Sequence, residues 1–191
     1  MTTTATPVTQ ETLTGDYTLD LAHTRIGFSA RHAMVSKVRG QFNEFNGSIF
    51  LDAENPANSQ VELTIKAASI DTRNADRDAH LRSNDFFAME EYPEITFRST
   101  HVEQATENKY YVTGDLTIRG TNKAVTVNFE LNGSVVDPWG NFRIGFDGQT
   151  TINRKDWGVS FNAALEAGGV MVSEKVNLEF EVEAVKVKPA A

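Results

Sequence analysis

Tyr110-Tyr111-Val112-Thr113-Gly114-Asp115-Leu116-Thr117-Ile118 places an apolar or small residue at every even position and mostly polar ones between. A β-strand points successive side chains to opposite faces, so this stretch has one dry face and one wet face. The next stretch of the same kind, Val125 to Gly133, follows after Arg119-Gly120-Thr121-Asn122, residues with the chemistry of a tight turn. Strands joined by so short a connection are antiparallel neighbours. A second turn at Asp137-Pro138-Trp139-Gly140 leads into Phe142 to Ile152, which alternates in the same way.

The pattern recurs at Phe42 to Leu51, Val61 to Ala67, Ile95 to Ser99 and Val176 to Ala184, with shorter strands at Tyr17 to Leu21 and Thr24 to Ala30. Val38, Gly40 and Phe42 take even positions, whereas Phe45, Gly47, Ile49 and Leu51 take odd ones. That change of parity predicts a β-bulge near Asn43 and Glu44, bending the strand as barrel closure requires. A hairpin at Asn46-Gly47 is the alternative, although it would leave two very short strands.

Several strands run to about ten residues or more, enough at roughly 3.3 Å per residue to span more than 30 Å. About eight strands of that length make a tall all-β antiparallel barrel, whose interior either fills with side chains or holds one ligand. Glycines inside the strand patterns, among them Gly27, Gly40, Gly114 and Gly148, mark either barrel corners or places where a ligand passes close to the backbone. The alternation stops at residues 74–91, where Ala75, Ala79, Leu81, Phe86 and Phe87 sit among charges and Asn74 and Ser83 are helix-cap residues. One or two short helices are expected there, ended by Tyr92-Pro93.

The 191 residues fit a single domain over 15–186. The Thr-rich residues 1–14, with too little apolar content to offset ordering entropy, are expected to be a disordered tail, as are 187–191. A formal charge of −8, with Lys and Arg scattered rather than clustered, argues against nucleic acid and against an anionic bilayer as partners, and zero cysteine closes disulfide and thiolate chemistry. No run reaches the roughly 20 apolar residues of a membrane helix, and no secretory h-region precedes the first strand. The expectation is a cytoplasmic protein without a membrane span.

No catalytic motif is present: there is no G-x-S-x-G, no phosphate-binding glycine loop and no dinucleotide fingerprint. The four histidines, His23, His32, His80 and His101, show no metal-ligand spacing, so no metal site is expected. His80 lies four residues after Asp76, the spacing of a helix-surface pair, and Asp76 with Asp78 reads as a solvated helix face. His32 beside Arg31 either faces a ligand's polar head or is a hydrogen-bonded structural histidine. Asn153, Arg154 and Asp156, directly after Ile152, belong at a barrel rim. There they make either an Arg–Asp clasp closing a turn or a clamp for a headgroup, since arginine's forked donors match phosphate.

The run Gly15-Asp16-Tyr17-Thr18-Leu19-Asp20 with His23, Phe28 and His32, then Val38-Arg39-Gly40-Gln41-Phe42 and Phe45-Asn46-Gly47, resembles the opening of the YceI-like, polyisoprenoid-binding proteins. The likeness continues through Ser69-Ile70-Asp71-Thr72, the 80–87 run His-Leu-Arg-Ser-Asn-Asp-Phe-Phe, Tyr92-Pro93-Glu94-Ile95-Thr96-Phe97, Gly114 to Gly120 and Ile152 to Gly158. It spans nearly the whole chain from Gly15 to Ala184.

The resemblance implies an extended lipocalin-like barrel with a helical insert, holding an isoprenoid quinone or a polyprenyl phosphate in its bore. It needs no other cofactor. Many relatives carry an export signal that is not seen here, so their export does not transfer. With the resemblance, Phe28, Phe42, Phe86, Phe87, Phe97, Phe146 and Phe161 become candidates for the tunnel wall. His32, Arg82, Asp85, Asn153 and Arg154 flank apolar segments in three separate stretches and become candidates for the polar end.

The function expected is carriage, storage or sequestration of an amphiphilic isoprenoid or similar lipid. Two rivals stand beside it: an enzyme acting on an isoprenoid or quinone through His32, Arg154 and Asp85, and a ligand-free interaction barrel. An exposed strand edge or rim would also let two barrels pair as a homodimer.

Overall fold

The computed structural model describes residues 10–188. In chain order the elements are α1 (Gln10–Leu13), β1 (Gly15–Leu19), β2 (Arg25–His32), β3 (Ser36–Phe42), β4 (Phe45–Leu51), β5 (Gln60–Lys66), β6 (Ile70–Asp71), α2 (Ala75–Arg82), β7 (Glu94–Thr106), β8 (Lys109–Ile118), β9 (Thr121–Val136), β10 (Phe142–Asn153) and β11 (Val172–Lys186). The tail expected over 1–14 is therefore helical at α1. Leu13 joins the core, and its carbonyl accepts the Tyr17 hydroxyl at 2.6 Å. Residues 1–9 and 189–191 lie outside the described residues, while the Val187 N–H bonds the Asp16 carbonyl.

Eleven strands fill eight positions around a closed antiparallel barrel. β11 pairs with β1 over Leu19↔Ala184 to Tyr17↔Lys186 and with β2 over Arg25↔Glu181 to His32↔Val172, so β1 and β2 share one position in two pieces. β3 pairs with β2 while β4 pairs with β1, and β5 pairs with β4 while β6 pairs with β3. Two more positions are thus split. The others follow in order through β7, β8, β9, β10 and β11, closing on β1.

The parity change at Asn43 and Glu44 is the break between β3 and β4 within one barrel position. The hairpin alternative is excluded, because Asn46 and Gly47 sit inside β4 opposite Thr64 and Leu63. Arg119-Gly120 is the two-residue turn between β8 and β9, with φ of 48° and 72°.

Of the helices expected over 74–91, one forms. The Asn74 side chain caps α2 by accepting the Arg77 N–H, and Ser83 closes its other end by donating to the His80 carbonyl. Two readings of charged residues are corrected here. Asp78 is buried rather than solvated, because the Thr72 N–H and hydroxyl both donate to its carboxylate at 2.9 and 2.6 Å. His80 pairs with Asp85, at 2.7 Å, instead of Asp76. Arg77 and Arg82 donate to carbonyls of Thr72, Ala68 and Ile70, so the insert is bolted to β6 by polar bonds. Among the described residues no ladder joins β6 to β7, and the insert stands at that end of the barrel.

Two apolar clusters divide the interior. Tyr17, Leu51, Val102, Tyr110, Val112, Ile144, Phe146 and Ala184 pack at the β1 end. Ile26, Ile65, Phe86, Ile95, Leu116, Ile118, Ile152 and Trp157 pack at the insert end, where the Trp157 indole N–H reaches the Leu116 carbonyl at 2.9 Å.

Candidate ligand cavity

Between the clusters runs a cavity of about 250 Å³ whose walls are almost wholly apolar carbon. Its lining reaches from Val102, Tyr110 and Phe146 at the β1 end to Leu81, Phe87, Val159, Val172 and Arg154 at the insert end. Tyr17, Ile144 and Ala184, each no more than 1% exposed, lie in the β1-end cluster outside the lining. That end is a packed floor. Burial drives the Tyr17 hydroxyl up to about 12 and raises Tyr110 as well.

Six of the seven phenylalanines expected on the wall line this cavity: Phe28, Phe42, Phe86, Phe87, Phe97 and Phe146. Phe161 stands one layer back, its ring 5.3 Å from Phe86 and 4.8 Å from His80. It braces the wall from outside because the chain after Trp157 passes over the insert rather than into the bore. Phe129 and Phe180 line the cavity too and were missed. Their signal was available, since they continue the alternation of Val125, Val127 and of Val176, Leu178.

Three of the strand glycines, Gly40, Gly114 and Gly148, have a cause that neither sequence alternative named. A Cβ on Gly40 would stand 2.4 Å from the Phe28 ring, one on Gly114 would stand 2.5 Å from Phe97, and one on Gly148 would stand 2.3 Å from Phe129. Phe28 and Gly40 face each other across β2 and β3, as do Phe129 and Gly148 across β9 and β10. Each glycine gives up its side chain so that a phenylalanine ring can lie along the wall, which leaves the middle of the bore free. The closely approaching body is a ring of the protein itself.

The five polar candidates share the insert end as two groups. Arg154 is 5% exposed and lines the cavity, with Nε, Nη1 and Nη2 donating to the carbonyls of Ser173, Val159 and Val172 at 2.9, 2.7 and 3.3 Å. The Arg–Asp clasp is thereby corrected: Arg154 grips main chain, not Asp156, because its 3₁₀ turn (Arg154–Trp157) aims it at β11. Among the described residues no carboxylate lies within 4 Å of it, and burial lowers its pKa against the opposing pull of the more distant Glu174. Asn153 beside it accepts the Lys155 N–H and donates to Glu174, while exposed His32 is opposite Val172 in the ladder.

Arg82 and Asp85 form the second group, on the insert. Arg82 is committed to the carbonyls of Ala68 and Ile70, and Asp85 is exposed and paired with His80. The groups are linked through Arg119, which donates to the carbonyls of Phe86 and Gly158.

A different cluster stands at the floor. The Arg143 guanidinium bonds Asp20 at 2.5 Å, Asp137 at 2.7 Å and Glu183 at 2.7 Å. Arg143 holds the Asp20 carboxyl down at about 2, aided by His23. Burial works against ionisation of Asp137, but bonds from Asn141, Arg143 and Trp139 outweigh it and push that carboxyl well below the usual range. Asp20, His23 and Glu183 could bring three ligand atoms within 4.8 Å of one another. Arg143 already supplies the positive charge there.

A family model, the YceI-like domain, matches residues 17–184. The chain is 43% identical over 178 residues to a UPF0312 protein of Photorhabdus laumondii, covering 92% of this chain and 89% of that protein. Among solved structures, the Campylobacter jejuni YceI protein superposes with a TM-score of 0.72 at 34% identity, over 90% of this chain and 98% of that one. A polyisoprenoid-binding domain from Saccharophagus degradans superposes with a TM-score of 0.68 at 16% identity, covering 90% and 98% of the two chains, a likeness of fold. Barrel, insert and matched residues agree: the chain belongs to the YceI-like family.

Proposed function

We propose that this protein binds an amphiphilic isoprenoid lipid, with the tail along the phenylalanine-walled cavity and an anionic head, such as a polyprenyl phosphate, at Arg154. The observation that carries this reading is a buried guanidinium without a carboxylate partner at one end of an otherwise apolar cavity. A charge in that position is costly unless a counter-charge or strong acceptors meet it. Three carbonyls meet it in part, and arginine's five N–H donors exceed three bonds. Tail burial supplies most of the affinity, at roughly 25 cal/mol per Å² before the costs of association.

The volume of about 250 Å³ sits just under the roughly 300 Å³ where small-ligand pockets begin, so a long tail requires movement of the cavity side chains. Leu81, Phe86 and Phe87 on the insert are the parts to move, as that end lacks a continuous ladder. Carriage or storage fits a deep apolar site better than catalysis. The enzyme alternative would need His32, Arg154 and Asp85 together, yet Asp85 is turned to His80 and Arg154 to main chain.

Mass spectrometry of an organic extract of the purified protein tests the reading, with an isoprenoid as the expected species. An empty extract combined with no uptake of added polyprenyl phosphate or quinone would sink it. Arg154→Gln separates the heads: a polyprenyl phosphate should weaken on the order of tenfold, most at low salt, and a quinone of equal tail much less. Equal loss for both would reduce Arg154 to its clasp.

A further inference from the structure

The tip joining β2 to β3 is built at a local cost. The connection is three residues, Ala33 to Val35. His32 to Val35 form a β-turn closed by the Val35 N–H to the His32 carbonyl at 3.1 Å, and Ala33 and Met34 both hold positive φ, 47° and 64°. Asn-Gly fills such turns without steric penalty, whereas Ala and Met do not. The turn displays Met34 and Val35, 67% and 81% exposed. Met34 lies over Gly169, and the Ala33 N–H bonds the Met171 carbonyl, which brings exposed Val170 and Met171 into the same patch. Just behind the tip, Arg31 and Lys37 are directly opposite each other and exposed, a like-charge pairing that weakens a ladder unless an anion relieves it.

The charge around this patch is opposite in sign to the chain as a whole. From Leu21 to Asn43 there is no Asp or Glu in a protein of net charge −8; Arg31, Lys37 and Arg39 stand toward the tip, whereas Arg25 lies at the far end of β2 paired with Glu179 and Glu181. The acids nearest the tip on neighbouring segments are Glu166 and Glu174, the latter held by Lys155 at 2.6 Å, while Glu179 and Glu181 of β11 and Asp71 of β6 lie further down, opposite Gly27, Arg25 and Gln41. Apolar side chains standing out from a basic collar form the pattern that inserts into the headgroup layer of an anionic bilayer. Cavity lining at Ala30 and Val172 begins two residues behind the tip on β2 and next to Met171 on the other side.

A second exposed apolar site, Val135, Val136 and Trp139 on the turn between β9 and β10, lies at the floor end beside Asp20, Asp137 and Glu183. Acidic neighbours and a packed floor make it the wrong surface for an anionic membrane.

We propose that the β2–β3 tip and residues 169–171 dock on an anionic lipid bilayer, setting the Arg154 end of the cavity against the membrane. The docking rests on the lipid-binding reading for its purpose, but it is measured without the cavity ligand. The full chain is sedimented with phosphatidylcholine vesicles that contain or lack phosphatidylglycerol. Binding should appear on the anionic vesicles alone and fall as salt rises. Arg31→Glu with Lys37→Glu should weaken it on the order of tenfold or more.

Ala33→Asn with Met34→Gly relieves the strained turn, so the variant should fold at least as well as the parent and yet lose severalfold in vesicle binding. Trp139→Ser should bind like the parent. Equal binding to both vesicle types, parental binding by either tip variant, or loss through Trp139→Ser would overturn the proposal. So would a dimer of the parent that the turn variant dissociates, which would make a second copy the occupant. Uptake of polyprenyl phosphate from detergent solution, measured on the same proteins, keeps the two readings apart: uptake without vesicle binding defeats docking alone, and vesicle binding without uptake defeats the cavity reading alone.

Discussion

The two ends of the barrel are closed by different physics. At the floor, β1 is laddered to β11 on one side and β4 on the other, Tyr17, Ile144 and Ala184 are buried to 1% or less, and Arg143 is matched to three carboxylates. At the insert end the ladder stops between β6 and β7, a helix of eight residues stands in for a strand, and Arg154 has carbonyls for partners. One end spends its side chains on staying shut. The other keeps a buried charge met by carbonyls and only at a distance by Glu174, a strained turn and a polar-bolted insert, the kinds of feature that concentrate where a protein acts.

If the contrast is right, truncating the floor harms folding and truncating the insert harms binding. Tyr17→Ala removes a fully buried ring and should cost about 3–5 kcal/mol in denaturant unfolding, the range for deleting a buried aromatic. Phe87→Ala, in a half-buried ring on the cavity wall, should cost clearly less while altering ligand uptake more. Equal destabilisation by the two would break the distinction.

Between the ends, the glycine seats set how much of the bore stays free. Gly148→Val places branched carbon where the Phe129 ring lies and must push that ring into the cavity. Overpacking of this kind costs about 1–3 kcal/mol. Uptake of an isoprenoid should fall by more than that loss of stability accounts for, measured at a temperature where the variant is fully folded. An unchanged uptake would show that Phe129 can turn elsewhere and that the bore is wider than its resting shape.

How far the sequence reveals these two ends follows from the range of the signals. Period-two alternation is local, so Tyr110 to Ile118 and its counterparts declare their strands and their dry faces unaided. The parity change at Asn43 likewise marks the break between β3 and β4. Pairing is not local: that β1 and β2 share β11, and that eleven strands make eight positions, depends on partners as far apart as Tyr17 and Lys186, about which alternation is silent.

Alternation put Phe28, Phe42, Phe97 and Phe146 on dry faces, but only the family resemblance made them, with Phe86 and Phe87 of the insert, candidates for the wall. The position of Phe161 was not legible, because that residue follows Trp157 in a stretch without period, and its place is set by the insert it lands on. The pairing of Gly148 with Phe129 needs the register of β9 against β10. Asp78 looks like any acid on a short helix, and its burial follows from Thr72 arriving six residues earlier with two donors aimed at it.

The smallest effect expected is electrostatic, and it separates the ends by pH. Asp20 is held at about 2 by Arg143 against an ordinary value of 3.8. A carboxyl whose folded pKa is depressed gives stability that is whole above the unfolded value and lost as pH falls through the folded one. The floor should therefore loosen between about pH 4 and pH 2, and Asp137, lowered in the same way, steepens that slope. Asp20→Asn should flatten the acid limb of a plot of unfolding midpoint against pH, with little change at neutral pH beyond the loss of one bond to Arg143. Beside Arg154, Glu174 is also lowered, but chiefly by Lys155 and Asn153 with Arg154 the smallest contributor, so Arg154→Gln should change the slope far less than Asp20→Asn. If Arg154→Gln flattens the acid limb while Asp20→Asn does not, the charge that matters for folding sits at the insert end, and the assignment of roles to the two ends is reversed.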